Sequence, residues 1–365
     1  MLSRRTFTSA GLAWTATGCG LGPGVDRTRL GRSSSDSNLE ALAAKEGALR
    51  IEATIDATTD PQGLEDLLDS FGQLYPGIAL DYHRPPSREL HANFLREATA
   101  GLPTADILIS SAMDLQFKLV NDGFAQAYES PEKPNLPAWA VWKNQAYAIT
   151  AEPIVFGYNR ALVPAADVPA SHDEFADLLR RKPDAYRGKV ATYDPERSGT
   201  GYLYYTQDLL LSRDTLDLAE AVGRLQPKFY VSGAEIIDKL SSGDILLSYN
   251  MVSSYMLARQ GREPDIGIVF PSDYTLVMSR IALIPRMAAH PAASKLFLNF
   301  LLSEQGQLLL ARRYMRPIRT GVPMPGTAPP AEVLRPIHFG PSLLANLDEF
   351  RRRRVLREWR HTFES

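Results

Sequence analysis

The chain contains almost no cysteine: among its 365 residues only Cys19 carries a thiol. A single cysteine excludes an internal disulfide framework and a zinc site built on cysteine pairs. The six histidines are scattered, and none stands at the spacing of a helical metal-binding pair. We therefore expect no metal site and no cofactor.

Common catalytic motifs are also missing. The sequence contains no G-x-S-x-G nucleophile elbow and no Walker phosphate loop. The glycine-rich stretch GCGLGPG (18–24) lacks the dinucleotide-binding spacing, and no strand precedes it. These absences argue against an enzyme, and we expect a binding protein.

Neither sign of charge is in large excess. Lys and Arg number 40 and Asp and Glu number 42, which gives a net charge of -2. This balance provides no global field that would attract nucleic acid. The length exceeds what one hydrophobic core usually supports, so we expect two domains in a monomer.

An N-terminal targeting pattern is present. The paired Arg4 and Arg5 resemble a twin-arginine export motif, and the apolar run behind them is too short to span a membrane. The residues before Cys19 resemble a weak lipobox. We expect residues 1–38 to form an export signal and a Ser-rich tether of a periplasmic or otherwise exported protein. Cys19 is then either lipidated, which would anchor the protein to a membrane, or removed; a buried N-terminal helix is the alternative.

Strand and helix patterns alternate along the chain from about Leu39. Short β-rich runs are separated by stretches with apolar residues at helical spacing, and Ser, Asp or Pro stands near the helix starts. This alternation predicts an α/β fold with mostly parallel sheets covered by helices. The predicted strands are 47–56, 78–83, 105–110, 189–194, 244–250, 265–271 and 275–285.

Two long β-rich segments, 144–159 and 265–284, are interrupted by proline and bracket the middle of the chain. A middle domain inserted into a first domain, and joined to it by two strands, would give this pattern. The expected lobes are 39–150 plus 270–365, including the C-terminal helices, and 151–269.

Four polar turns follow predicted strands, and each precedes a predicted helix. In open α/β sheets, ligands bind outside the carboxyl ends of strands, where helix starts present unpaired N–H groups that suit anions. Ordinary helix capping also explains any single turn, but four turns divided between two lobes favour a ligand site. The turns are DATTDPQ (56–62), SSAMD (110–114), DPERSGTGY (194–202) and NMVSSY (250–255).

The turn at 194–202 has the richest set of anion-binding groups. Arg197 supplies a planar donor for a carboxylate or phosphate. Gly199 and Gly201 allow close approach of the backbone to a ligand. A surface salt bridge is the alternative role for Arg197.

The chain carries, in order, FGQLYPGIAL (71–80), ADILISSAMD (105–114), YDPERSGTGY (193–202), GDILLSYNMVSSYMLAR (243–259) and HPAASKLFLNFLLSEQGQLLLA (290–311). Together these motifs resemble the extracytoplasmic solute-binding proteins of ABC transporters, of the type 2 periplasmic-binding class. Within that class they resemble the branch of ferric-iron, aminoethylphosphonate and phosphoglycerate binders. The resemblance implies two α/β lobes that close on a solute by a hinge, and delivery of that solute to a membrane permease.

One departure from that branch concerns the ligand. Its iron-binding members carry adjacent tyrosines just after the strand that here ends at Asn250, and tyrosinate oxygens suit Fe(III). This sequence has Val252-Ser253 or Ser253-Ser254 at that place, with Tyr255 nearby. Hydroxyls and amides at helix starts better suit a small organic anion, such as a phosphorylated or carboxylated metabolite. Ferric iron stays as an alternative.

We therefore predict a receptor that captures a small organic anion between two lobes and delivers it to an ABC permease. Asp60 or Asp273 would alternatively pair with an amine on the ligand. The predicted ligand-binding residues are Thr58, Asp60, Ser110, Ser111, Arg197, Ser198, Thr200, Gly201, Asn250, Ser254, Tyr255, Asp273 and Tyr274.

Two other functions fit the same pattern. The receptor would alternatively present its ligand-bound state to the ectodomain of a membrane sensor kinase. The basic run RRRRVLREWR (351–360) would then be a contact surface, although a solvated helix face explains it as well. An exported enzyme on the same scaffold is the third hypothesis.

Overall fold

The computed structural model describes residues 34–54, 64–212, 214–324 and 329–364. The predicted export signal, with Arg4, Arg5 and Cys19, lies outside these ranges. Among the described residues, no helix combines the length and the hydropathy needed to cross a bilayer.

The first sheet takes strands from two separate parts of the chain. In order across the sheet, they are β2 (Ala79–His83), β1 (Ala48–Ala53), β3 (Ile107–Ser110), β12 (Ile281–Leu283), β5 (Ala146–Ala148) and β4 (Val141–Trp142). Ile51 of β1 lies opposite Tyr82 on one side and Ile107 on the other, both in parallel register. β12 then runs antiparallel to β3 and to β5.

The second sheet is also mixed. In order, its strands are β13 (Leu334–Pro336), β11 (Thr275–Met278), β6 (Glu152–Asn159), β9 (Leu247–Val252), β7 (Val190–Tyr193) and β8 (Lys228–Tyr230), and β10 (Ile266–Val269) pairs with β6. β7 pairs in parallel with β8 and β9, whereas β6 is antiparallel to all its partners. The α/β prediction is confirmed, but the sheets are not mostly parallel because the strands that pass between the lobes run back against their neighbours.

Helices follow most of the strands and cover both sheets. A serine cap begins α5: Ser171 Oγ accepts from the N–H of Glu174 at 3.1 Å, and Phe175 and Leu178 behind it are buried. The helices are α1 (Ser34–Glu46), α2 (Glu65–Leu74), α3 (Ser87–Thr99), α4 (Met113–Asn121), α5 (His172–Arg181), α6 (Pro183–Tyr186), α7 (Gly199–Leu211), α8 (Asp214–Gly223), α9 (Gly233–Ser241), α10 (Ser253–Gln260), α11 (Pro291–Leu302), α12 (Glu304–Arg312) and α13 (Glu349–Glu364).

The chain passes between the sheets twice, within the two segments predicted to do so. The first passage lies between Ala148 of β5 and Glu152 of β6, and the second lies between Met278 of β11 and Ile281 of β12. The boundary predicted after residue 269 is therefore too early. β11 still pairs with β6, so the second sheet continues to Met278.

The prediction placed the C-terminal segment in the first lobe alone, but this segment contacts both lobes. β13 extends the second sheet. Phe339 then packs on Phe117 of the first lobe, and α13 packs against the second lobe. In α13, Trp359 contacts Phe229 of β8 with ring centroids 4.7 Å apart. An apolar face of α13 thus covers the second lobe, which the predicted division had assigned only to residues 151–269.

The predicted Ser-rich tether is shorter than expected, because α1 already begins at Ser34. Ala43 of this helix is fully buried. Glu46 at its end accepts from the N–H groups of Ala292 and Ala293 at 3.0 and 2.8 Å. The helix is thus held by the start of α11, where N–H groups lack intrahelical acceptors.

Candidate functional site

The turn after β3 in the first lobe is held by buried hydroxyls. Ser110 Oγ accepts from the hydroxyl of Thr54 at 3.2 Å and from the N–H of Ala112 at 3.1 Å. The N–H of Ser111 donates to Thr54 Oγ1 at 3.1 Å. Because Ser110 accepts in both of its bonds, its own proton stays available to a ligand.

The turn after β7 in the second lobe is an N-terminal helix cap. Ser198 Oγ accepts from the N–H of Gly201 at 3.1 Å and lies 3.1 Å from Thr200 Oγ1. The first N–H groups of a helix have no intrahelical acceptor, and here only that of Gly201 is capped by the serine. The N–H groups of Gly199 and Thr200 therefore point out of the start of α7, where the helix dipole favours an anion.

These two turns lie against each other. A Cβ on Gly199 would be 3.2 Å from Ser87 Oγ and 3.9 Å from the Cβ of Ala112. Ser87 begins α3 and Ala112 precedes α4, both in the first lobe. The structure thus brings the starts of three helices together across the two lobes.

Arg197 lies at the edge of this arrangement. Its N–H donates to Asp194 Oδ1 at 3.2 Å, as part of the turn. The residue is exposed. Its predicted role in binding an anion stays a prediction. Because the residue is exposed, its position fits the rim of the cleft better than the buried contact between the two turns.

A buried ion pair, which sequence reasoning missed, occupies both passages between the lobes. Arg280 Nε donates to Glu152 Oε1 at 2.7 Å, and both side chains are fully buried. Burial alone would lower the pKa of Arg280, but Glu152 and Tyr255 reverse this effect and hold the pKa above its ordinary value. The guanidinium is therefore charged, and Glu152 offsets its charge.

Arg280 also links the two lobes. Its Nη1 donates to the carbonyl of Thr54 in the first lobe at 2.9 Å, and Nη2 donates to Tyr255 Oη in the second lobe at 3.0 Å. On the other side of the pair, Glu152 accepts from the hydroxyls of Thr150 and Ser254. The predicted residues Ser254 and Tyr255 thus belong to this buried network.

A sequence signal for this pair exists. Arg280 is the only charged residue in TLVMSRIALI (275–284), and Glu152 is the only one in TAEPIVFGY (150–158). A lone charge in an apolar strand is rarely buried without a partner. Two such charges, one in each predicted passage, would have indicated an ion pair.

Three predicted residues have partners elsewhere in the second lobe. Asn250 Nδ2 and Tyr274 Oη donate to the buried carboxylate of Asp208 at 2.8 and 3.1 Å. Asp273 accepts from His172 Nδ1 at 2.9 Å. Asn250, Tyr274 and Asp273 thus use polar atoms to hold the second lobe, and their predicted roles in ligand binding stay predictions.

Thr58 and Asp60, the remaining predicted contacts, lie outside the described residues. Within the described part of the chain, no group of three or more His, Cys, Asp or Glu residues could hold a metal ion.

Asp114, next to the first-lobe turn, is a buried carboxylate with few partners. It is 3% exposed, and its Oδ1 accepts from the N–H of Leu115 at 2.9 Å. Burial raises the pKa of Asp114 to about 6; the hydrogen bond from the N–H of Leu115 and the nearby charges of Arg352 and Arg88 oppose this only in part.

We expect Asp114→Asn to stabilise the protein near pH 7. The folded-state pKa exceeds the unfolded one, so the folded state binds the proton more tightly and stability falls as pH rises from about 4 to about 6. The amide removes this loss and should raise the free energy of unfolding by about 2–3 kcal/mol at neutral pH, and by less than half of that near pH 4.5. Urea unfolding at the two pH values measures both.

Asp122→Asn, at the other end of α4, is the matched control. Asp122 Oδ2 accepts from Lys118 Nζ at 2.6 Å, and its pKa is lowered by this contact despite partial burial. Its amide variant should therefore be slightly less stable at neutral pH. An Asp114→Asn variant with no gain at pH 7 would show that the carboxylate is solvated.

The class of protein follows from this architecture. Two α/β lobes joined by two strand passages, with helix starts of both lobes facing one another, define the type 2 periplasmic-binding fold. A family of bacterial extracellular solute-binding proteins matches residues 66–333, and the chain belongs to it. The expected family resemblance is thereby confirmed.

Solved structures agree. The substrate-binding protein of an ABC transporter from Agrobacterium tumefaciens is 36% identical; the match covers 87% of this chain and 94% of that chain, with a TM-score of 0.80. The chain is therefore a substrate-binding receptor of the ABC transporter type.

More distant structures share the fold. Iron-bound HitA from Pseudomonas aeruginosa is 17% identical, with a TM-score of 0.68 over 86% of this chain and 99% of that chain. AfuA from Actinobacillus pleuropneumoniae, with fructose-6-phosphate bound, is 19% identical, with a TM-score of 0.70 over 87% and 99%. A search of the curated proteins found no match.

Proposed function

We propose that this receptor captures a small organic anion, a phosphorylated or carboxylated metabolite, and delivers it to an ABC permease. The observation that supports this ligand class is the start of α7 in contact with the starts of α3 and α4. The N–H groups of Gly199 and Thr200, with the hydroxyls of Ser111 and Thr200, provide neutral donors from both lobes. Such donors bind an anionic group without requiring a full counter-charge.

Ferric iron fits these residues less well. Val252 and Ser253 are buried where the iron-binding branch carries paired tyrosines. Tyr255 Oη accepts from the guanidinium of Arg280, so a cation already occupies this oxygen. The positive charge of Arg280 beside this oxygen would oppose the binding of a second cation there.

Delivery to a permease is favoured over presentation to a sensor kinase. Two arginines of the basic helix α13 already have partners within the protein. Arg352 lies over the ring of Tyr202 at 4.4 Å, and Arg360 pairs with Glu196 at 2.7 Å. These contacts give the arginine run a structural role that needs no acidic partner.

A thermal-shift panel tests the ligand class. We expect an organic phosphate, phosphonate, dicarboxylate or tricarboxylate to stabilise the purified protein. A ligand at about 100 times its dissociation constant should add about 2.7 kcal/mol of stability.

The Ser111→Ala/Thr200→Ala double variant should lose most of this shift in melting temperature. Thr99→Ala, at the exposed end of α3, removes a hydroxyl that bonds only the carbonyls of its own helix and should keep the shift. Stabilisation by Fe(III) alone would contradict the proposal.

A further inference from the structure

Two phenol hydroxyls, one in each lobe, are buried without a hydrogen-bond partner among the described residues. They belong to Tyr204 in α7 of the second lobe and to Tyr82 in β2 of the first lobe. Tyr204 is fully buried. A buried hydroxyl that forms no hydrogen bond is disfavoured, so most such groups in proteins have a partner.

Both hydroxyls lie near the same buried charges. Tyr204 interacts electrostatically with Glu152, Arg280 and Tyr255. Tyr82 interacts most strongly with Glu65 and Arg84 of its own lobe, and then with Arg280 and Tyr255; the guanidinium of Arg84 lies 5.8 Å from the centroid of its ring. The charge of Arg280, which links the lobes, thus acts on a phenol of each lobe.

These groups can donate as well as accept. Burial raises the pKa of Tyr204 and of Tyr82 above the ordinary tyrosine value, so both are neutral phenols at physiological pH. The guanidinium of Arg280, by contrast, has its Nε and both terminal nitrogens in hydrogen bonds to protein atoms. A ligand in this part of the cleft therefore meets phenol hydroxyls rather than an unpaired cation.

The position of Tyr204 on α7 relates it to the proposed anion site. It follows Thr200 by four residues, which places the two Cα atoms on one face of the helix, about 6 Å apart along the axis. A ligand with its anionic group at the start of α7 would extend along this face toward the phenols.

We infer that the ligand is an organic anion that carries hydroxyl groups, a polyol phosphate or a hydroxycarboxylate, and that Tyr204 and Tyr82 bind those hydroxyls. The inference rests on the proposed function, since it assumes an anionic end at the start of α7. A site built to hydrogen-bond a ligand hydroxyl strongly rejects the analogue without it, because the protein groups are then left unpaired.

Tyr202 offers a matched control on the same helix. Its hydroxyl is likewise buried without a partner among the described residues, and it is 1% exposed. Its ring, however, lies under Arg352 of α13 at 4.4 Å, and the charges that act on it are those of Arg352, Arg351, Asp114 and Arg88 rather than those of Glu152 and Arg280. Tyr202→Phe thus removes a buried hydroxyl of the same helix that does not belong to the group around Arg280.

The test uses pairs of probes that differ by hydroxyl groups: glycerol 3-phosphate against propyl phosphate, and malate against succinate. We expect the wild type to bind the hydroxylated member of at least one pair at least ten-fold more tightly by isothermal titration calorimetry. Tyr204→Phe and Tyr82→Phe should each reduce this preference to less than three-fold, whereas Tyr202→Phe should keep it. All three variants should unfold at or above the wild-type temperature, because each loses an unpaired hydroxyl.

Equal affinity of the wild type for both members of each pair, or an unchanged preference in Tyr204→Phe, would overturn the inference while the proposed function stands. Absence of binding by any of the four probes, together with stabilisation by Fe(III), would instead overturn the proposed function and the inference with it.

Discussion

Replacing Arg280 by methionine should lower the free energy of unfolding by about 3–5 kcal/mol, because it leaves the carboxylate of Glu152 buried and unpaired. Both side chains of the pair are fully buried. The same change removes the bonds to Thr54 in the first lobe and to Tyr255 in the second. We therefore expect both a large loss of stability and weaker coupling between the lobes, measured by urea unfolding and by small-angle X-ray scattering.

A double variant separates the unpaired charge from other effects. In Arg280→Met/Glu152→Gln a neutral amide replaces the carboxylate, and the amide oxygen can still accept a hydrogen bond from Thr150 or Ser254. This variant should recover more than half of the stability lost in Arg280→Met, since the penalty arises mainly from one uncompensated charge. If the stability lost by the double variant equals the sum of the losses of Arg280→Met and Glu152→Gln, this account of the pair is contradicted.

Arg353→Met is the matched control for the arginine substitution. Arg353 pairs with Glu349 at 2.8 Å, but its side chain is 69% exposed. Exposed pairs of this kind contribute about 0–1 kcal/mol. A similar loss in both arginine variants would mean that burial does not determine the effect.

Replacing Gly199 by leucine should weaken binding of the organic anion by about 100-fold or more, equivalent to about 2.8 kcal/mol. A Cβ at this position would already lie 3.2 Å from Ser87 Oγ, and the outer atoms of leucine would have to enter the first lobe. The lobes could then not reach the contact seen here. Titration calorimetry gives the affinity, and scattering in solution gives the separation of the lobes.

The series Gly199→Ala and Gly199→Leu makes the prediction graded. Alanine requires a shift of only a few tenths of an ångström at Ser87 and should have a small effect. Gly72→Ala in α2 is the control, since its Cβ would meet Leu80 at an ordinary 4.0 Å. Full affinity in Gly199→Leu would show that binding does not need the two turns in contact.

Local patterns were enough to predict the architecture. Alternating strand and helix signals indicated an α/β fold, and the two β-rich segments with proline contain the two passages between the sheets. Ser171 and Ser198 cap the helices that follow them, as polar residues before an apolar helical pattern predict. Such features depend on residues within one turn of each other.

Features that depend on distant parts of the chain were not predictable in the same way. Glu152 and Arg280 are 128 residues apart, and only the finished sheets bring them together. Asn250 ends a predicted strand, but β9 continues to Val252; the φ of Asn250 is 63°, and its amide donates to the buried carboxylate of Asp208. A strand end indicates an edge of the sheet but not the direction of each side chain.

A crystal structure of the protein with the organic anion identified by the thermal-shift panel would test the central claim most directly. We predict that the anionic oxygens lie within about 3.2 Å of the N–H groups of Gly199 and Thr200 and of the hydroxyl of Ser111, between closed lobes. An anion bound outside the interlobe cleft, or a ferric ion held there by Tyr255, would contradict the account.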